Sequence, residues 1–177
     1  MIKKNILFTG RPGCGKTTLI EKIVGKINRH ATGFITGEIR EGGRRCGFKI
    51  TTLDGKLGVL AHRDITSPFR VGYYGVNIRD IEEIAVPSII PSTKDEIIVV
   101  DEIGKMECFS PLFRETLIRA LESENLLVGS IALRGDLFIE GIKSRRDVVV
   151  VPVTEKNRDE ITQKYVSILL TGEIASP

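Results

Sequence analysis

A chain of 177 residues, 41% hydrophobic and 28% charged, has the size of one globular domain and can bury a continuous core, so a single domain over residues 1–177 is expected. With 26 Lys+Arg against 23 Asp+Glu, the net charge of +3 leaves no excess of the kind a nucleic-acid-binding tail carries. Three widely spaced cysteines, Cys14, Cys46 and Cys108, form neither a disulfide framework nor a zinc pattern, and no export signal or apolar run of roughly 18 residues is evident, so a cytoplasmic monomer off the membrane is expected.

In chain order, Asn5–Thr9 is an apolar run too short for a helix and closed by Gly10, which predicts a buried strand. From Thr17 onward, Leu19, Ile20, Ile23, Val24 and Ile27 recur at helical spacing. Glycine-rich turns then divide residues 33–61 into short β-compatible pieces, predicting an antiparallel meander of Phe34–Arg40, Arg45–Thr52 and Lys56–Ala61, turned at Gly42-Gly43 and Asp54-Gly55. Residues 62–96 read as irregular, with one short helix near Asp80–Ala85 between prolines. The last third alternates: strand Glu96–Val100, helix Ser110–Leu121, strands Leu126–Leu133 and Val148–Val153, and helix Asn157–Leu170. Ser110 with Pro111 and Asn157 with Glu160 have the spacing of helix caps. Continuous apolar strands between amphipathic helices predict a three-layer α/β fold with a mostly parallel sheet.

The segment Gly10-Arg11-Pro12-Gly13-Cys14-Gly15-Lys16-Thr17 satisfies G-x-x-x-x-G-K-[ST] and sits between a predicted strand and helix, as a phosphate-binding loop requires. Its glycines let successive amide N–H groups face one anion, and the helix adds the positive end of its dipole. Lys16 is expected to reach the β- and γ-phosphates of a nucleotide, and the Thr17 hydroxyl to ligate Mg²⁺, with Thr18 completing the loop. Cys14 occupies a variable position of the motif, where spacing is its expected role.

The second signal is the apolar run Ile97–Val100 delivering Asp101-Glu102. Asp101 is expected to hold the Mg²⁺ shell, and Glu102 to orient or deprotonate an attacking water, which favours hydrolysis over transfer to another acceptor. Gly104, Lys105 and Glu107 continue that loop; Lys105 and Glu107 could touch phosphate, metal or water, with a charged loop rim as the competing reading. Among arginines able to offset γ-phosphate charge, Arg134 is the first choice because it follows a buried strand directly; Arg145 and Arg146 are alternatives, and Arg40, Arg44 and Arg45 flank the Gly-Gly turn and could reach nucleotide or a partner, with a hydrated hairpin tip as the competing reading. Asn157 is a candidate base contact, with helix capping as the competing reading, and the segment around it carries no N-K-x-D guanine signature. His30 and His62 stand alone in the sequence and read as ordinary polar residues.

Taken together, Thr9–Thr18, Gly33-Phe34 with Glu38-Ile39-Arg40, Gly43–Phe48, Asp101–Glu107, and Val153-Thr154 with Asn157-Arg158-Asp159 resemble the thermophile nucleoside-triphosphatase family, over nearly the whole chain. The resemblance implies a variation on the RecA-type P-loop sheet, slow hydrolysis of ATP, GTP and other triphosphates to diphosphate and phosphate, and nucleotide contacts in Gly10–Thr17 and Asp101–Lys105. Two other readings stay open: a small-molecule or nucleotide kinase, which would need an acceptor pocket, and a nucleotide-dependent switch, in which slow hydrolysis is a timer.

Overall fold

The computed structural model describes residues 4–27 and 29–171. Their strands form one nine-stranded sheet in the order β5-β6-β4-β3-β2-β7-β8-β1-β9. Its core half is parallel: β1 (Asn5–Thr9) lies between β8 (Leu126–Ile131) and β9 (Val148–Pro152), and β7 (Ile97–Ile103) lies between β8 and β2 (Ala31–Glu41).

Alternation along these strands divides the core in two. Ile6, Phe8, Ile97, Val99 and Val128 meet Leu19, Ile20 and Ile23 of α1 (Lys16–Lys26) and Ile161, Tyr165 and Leu169 of α6 (Arg158–Thr171). Leu7, Ile98, Val100 and Leu127 instead meet Phe113, Leu117 and Leu121 of α4 (Pro111–Glu122) and Ile139 of α5 (Leu137–Lys143). Each such side chain, once buried, contributes about 1.5–3 kcal/mol, so the strands are held by their two faces as well as by their ladders. Phe8 meets Tyr165 edge-on at 5.4 Å between ring centroids, fixing α6 over the strand that leads into the glycine-rich loop.

At Gly33, where β2 joins β7, φ is +123° and an added β-carbon would stand 1.9 Å from the Val99 carbonyl oxygen. Only glycine allows the two strands to approach there. Beyond β2 the sheet turns antiparallel. β3 (Arg44–Thr52) and β4 (Leu57–His62) follow in register, with irregularities at Ile39/Arg40 and Phe48/Lys49.

Residues 62–96 are more ordered than their sequence led us to expect. A small hairpin of β5 (Arg70–Val71) and β6 (Tyr74–Val76) extends the sheet, and α2 (Ile78–Asp80), a π-helical turn (Ile81–Ala85) and α3 (Val86–Ser88) follow without a break. Strands of two and three residues are too short to show a period, which is why the hairpin escaped a reading by hydrophobic alternation. α5 was likewise not foreseen, although Asp136 caps it by accepting a hydrogen bond from the Ile139 amide. Ser110 caps α4 as expected, accepting from the Phe113 amide at 3.1 Å with Pro111 in the first turn.

Asn157 behaves differently from the expected forward cap. Its side chain turns back, accepting from the Thr154 amide at 2.7 Å and donating to the Pro152 carbonyl at 3.2 Å, because the loop leaving β9 offers those groups nearer than the next helical turn does. Nor is His62 alone: it stands across from Gly47, near Asp64 and Cys46. No helix among the described residues is long and apolar enough to cross a membrane.

Candidate active site

The loop between β1 and α1 closes on itself through the Cys14 amide, which donates to the Arg11 carbonyl at 3.2 Å. Gly13 and Gly15 adopt φ of 79° and 95°, the left-handed region that side chains disfavour, so the backbone can wrap one point in space. Gly15 caps α1 with no side-chain hydrogen bond, and the first turn has no acid, so the amides and the positive helix end are left for an incoming anion. Arg158 packs on the outside of Gly15, where an added β-carbon would lie 2.6 Å from its Nη1. The sequence reading gave Arg158 no role of its own. Cys14 is buried in the cluster that holds Phe8, Leu19 and Ile20.

Two segments 84 residues apart in sequence meet above this loop. Thr17 Oγ1 donates to Asp101 Oδ2 at 2.7 Å, and the buried Ser130 hydroxyl of β8 donates to the other oxygen of the same carboxylate. Asp101 is thereby held in one orientation with its side chain only 1% exposed. Ser130 is a supporting residue that the sequence reading missed. Its register opposite Phe8 is visible only once β8 is laid beside β1.

Lys16, only 9% exposed, donates to the Gly10 carbonyl at 3.2 Å, and its Nζ stands 3.5 Å from Glu102 Oε2. Burial raises the Glu102 carboxyl above the ordinary carboxylate range, the Lys16 charge pulls it back, and neighbouring Asp101 adds to the rise. The site therefore brings Lys16, Thr17, Asp101 and Glu102 together.

Glu107 is not the charged rim residue considered from sequence. It is 4% exposed at the start of the 3₁₀ turn Glu107–Phe109, and its carboxyl faces Glu102 across Gly104, where an added β-carbon would lie 3.0 Å from Glu107 Oε2 and 3.2 Å from Glu102 Oε1. Burial first, and the Glu102 charge second, push its pKa up to about 8 against an ordinary 4.5. A group that keeps its proton in the folded state but loses it when unfolded adds stability at low pH. That contribution is whole below pH 4.5 and fades as pH climbs to about 8. Glu107→Gln, which stays neutral, is accordingly expected to gain in Tm over the parent as pH rises from 5 to 9, in thermal melts of both proteins. A gap independent of pH would contradict the buried neutral acid. Lys105, by contrast, is exposed, with its Nζ 6.0 Å from the centre of the Phe109 ring.

Three adjoining cavities surround these groups. One of about 430 Å³ follows the loop itself, from Pro12 to Thr18, with Glu102. A second of about 610 Å³ runs from Arg11 along Leu133 to Thr154, Glu155 and Lys156. Asn157 is not in its wall. It shapes the 152–157 loop through the bonds to Thr154 and Pro152 described above. The third, about 520 Å³, opens beyond Lys16 and Glu102 and is walled by Phe48, Leu60, Val71 and Met106.

Arg134 is exposed and lines this third cavity, as does Arg45, one of the arginines flanking the Gly-Gly turn. Arg45 remains exposed at the cavity's edge, where its guanidinium lies 5.1 Å from the centre of the Phe48 ring and pairs with Glu38 Oε1 at 3.0 Å. Arg145 is turned away, engaged by Asp147 at 2.9 Å and Glu122 at 3.6 Å, so it drops out as a cleft arginine.

Comparison with known proteins bears on all of this. A family model described as NTPase matches residues 5–166. The nucleoside-triphosphatase THEP1 of Thermotoga maritima is 48% identical over 165 residues, covering 93% of this chain and 94% of the relative. The crystal structure of THEP1 from the hyperthermophile Aquifex aeolicus aligns with a TM-score of 0.84 at 37% identity, over 93% of this chain and 98% of that one. The solution structure of a human cancer-related nucleoside triphosphatase aligns with a TM-score of 0.81 at 34% identity, over 96% and 99%.

Proposed function

The chain belongs to this NTPase family and is a nucleoside-triphosphatase, and from that premise we propose that it hydrolyses ATP, GTP and other triphosphates slowly, with Mg²⁺ and with little regard for the base. The observation that carries the reading is the meeting of Lys16 with Glu102 at 3.5 Å beside Thr17 bonded to Asp101 at 2.7 Å. An all-oxygen pair of hydroxyl and carboxylate suits a hard divalent ion, so Thr17 and Asp101 are the residues that would hold Mg²⁺. When bound, the ion supplies charge neutralisation for the β- and γ-phosphates.

The residues of the chain do the rest. Amides of Gly13–Thr18 cradle the phosphate chain, and Lys16 exchanges its contact with Glu102 for the γ-phosphate. Glu102 then accepts the proton of the water whose oxygen attacks the γ-phosphorus, while the bond to the β-bridging oxygen breaks and the diphosphate leaves. The raised pKa of Glu102 brings it closer to the working pH, where a general base is most effective. Arg134 faces the same cavity as the γ-phosphate position and is the first candidate to offset the charge that develops there, with Arg45 the second. The base lies against Leu133, Pro152 and the 154–156 loop, where the apolar surface of Leu133 and Pro152 can carry any base and supports breadth, while Thr154, Glu155 and Lys156 are the hydrogen-bonding side chains of that wall.

The same reading extends to the fold, a three-layer RecA-type sheet lengthened by an antiparallel meander near residues 33–61 within one domain, 1–177, and to a cytoplasmic monomer. Phosphate release from ATP, GTP, CTP and UTP, with and without Mg²⁺, tests it. Rates within about tenfold of one another are expected, since one altered hydrogen bond to a base is worth roughly 1 kcal/mol. A single preferred base, or release without any divalent ion, would overturn it.

One observation favours a second reading. The cavity of about 520 Å³ beyond Glu102 far exceeds the roughly 30 Å³ that a water needs. A kinase acting on a small acceptor would use that space, and a phosphorylated acceptor formed with little free phosphate would establish it.

A further inference from the structure

Away from the nucleotide cleft, three side chains of metal-ligating chemistry meet on the antiparallel half of the sheet. Glu41 ends β2, Cys46 lies in β3 and His62 ends β4, and one carboxylate oxygen, the thiol sulfur and one ring nitrogen all lie within 4.8 Å of one another. No spacing motif announces them, because the three positions come from three neighbouring strands. The turn at Gly42-Gly43 returns the chain beside Glu41, and Gly47, next to Cys46, stands opposite His62. Register irregularities at Ile39/Arg40 and Phe48/Lys49 flank the cluster, and such irregularities re-aim side chains in an otherwise regular ladder.

We propose that Glu41, Cys46 and His62 form a binding site for a thiophilic divalent cation of the zinc type, separate from the Mg²⁺ position at Thr17 and Asp101. A thiolate, an imidazole and a carboxylate are the donors zinc takes, and a thiolate is a poor partner for Mg²⁺. Bonds of about 2.0–2.3 Å in a tetrahedron set ligand atoms roughly 3.3–3.8 Å apart, so the trio needs to close by only about 1 Å and leaves the fourth position to water. Cys46 is fully buried, and its thiol has only a long 3.4 Å contact with the Ile39 carbonyl to give up. On binding, the thiol proton passes to solvent. Of the outer groups, Arg63 holds Glu41 at 2.6 Å, and His62 Nδ1 accepts from the Asp64 amide at 3.3 Å with Asp64 Oδ2 3.4 Å away, so metal binding at Nε2 would turn Nδ1 into a donor to that carboxylate.

Co²⁺ titrated into the full chain, stripped of metal, with reduced thiols and without nucleotide, tests this. One equivalent should give a thiolate-to-cobalt charge-transfer band in the near ultraviolet that Zn²⁺ displaces and excess Mg²⁺ does not. Cys46→Ser should abolish the band, and His62→Gln should weaken Co²⁺ affinity at least tenfold with phosphate release unchanged. Because Cys46 is buried, where a substitution costs stability, the half-buried His62 supplies an independent arm. Cys14 and Cys108 are intact in both variants. A band that persists in Cys46→Ser, a Co²⁺ affinity unchanged in His62→Gln, a band displaced by Mg²⁺, or none in the parent protein would each overturn the site. None of these outcomes bears on triphosphate hydrolysis, which the phosphate-release assay reads separately.

Discussion

Lys16→Ala is expected to weaken binding of a non-hydrolysable triphosphate roughly 100-fold or more. The ammonium is the buried cation of the phosphate loop's cavity, and each charge-assisted hydrogen bond it would donate to a phosphate oxygen is worth about 1.5–3 kcal/mol. The side chain is already withdrawn from bulk water and anchored at Gly10, so little ordering remains to be done when the ligand arrives. Its removal also leaves Glu102 without its cation, placing an uncompensated acid beside an incoming polyanion. The fold should survive, since Lys16 lies on the cleft side of α1 and the helix is fixed by Leu19, Ile20 and Ile23. Equilibrium titration of the analogue into both proteins checks this. An affinity within about threefold of the parent would mean that the phosphate chain is gripped elsewhere.

Glu102→Gln should separate binding from chemistry. The amide keeps the shape of the carboxyl but cannot take a proton from water, and general-base contributions are typically 10²–10⁴-fold, so turnover is expected to fall by roughly that factor. Affinity should hold or rise slightly, because a negative charge facing the γ-phosphate has been removed. Binding of the triphosphate, measured beside single-turnover phosphate release, distinguishes this from the lysine variant, in which affinity itself collapses. Full turnover in Glu102→Gln would remove the carboxylate from the reaction and shift attention to Glu107, the other acid in the cavity.

Both variants concern residues that were legible before any coordinates, and the reason is local. The loop from Gly10 to Thr17 is contiguous, and the positive-φ glycines, the helix start and the lysine follow from eight adjacent letters. Asp101 and Glu102 were legible for a similar reason, since an apolar strand delivers them at its end.

Where sequence misled, the deciding contact was long-range. Glu107 has the letter code of a surface acid, yet packing around β7 and the following turn buries it against Glu102. Arg45 lies in a stretch that resembles any charged turn, and which of its two sequence readings applies depends on Phe48, Tyr74 and Glu38, which strand register brings beside it at the cleft's edge. Asn157 offered a helix-cap spacing, but the carbonyl and amide of its own loop were nearer.

The sequence by itself determined the phosphate loop, the acid pair and the alternation of buried strands with amphipathic helices, because backbone conformation and hydrophobic period are properties of neighbours along the chain. Tertiary structure alone decided that Ser130 holds Asp101, that Glu107 is buried against Glu102 with its pKa pushed up, and that Glu41, Cys46 and His62 share one small space. Those outcomes depend on desolvation and on the pairing of strands far apart in sequence, and neither is written in any short run of residues.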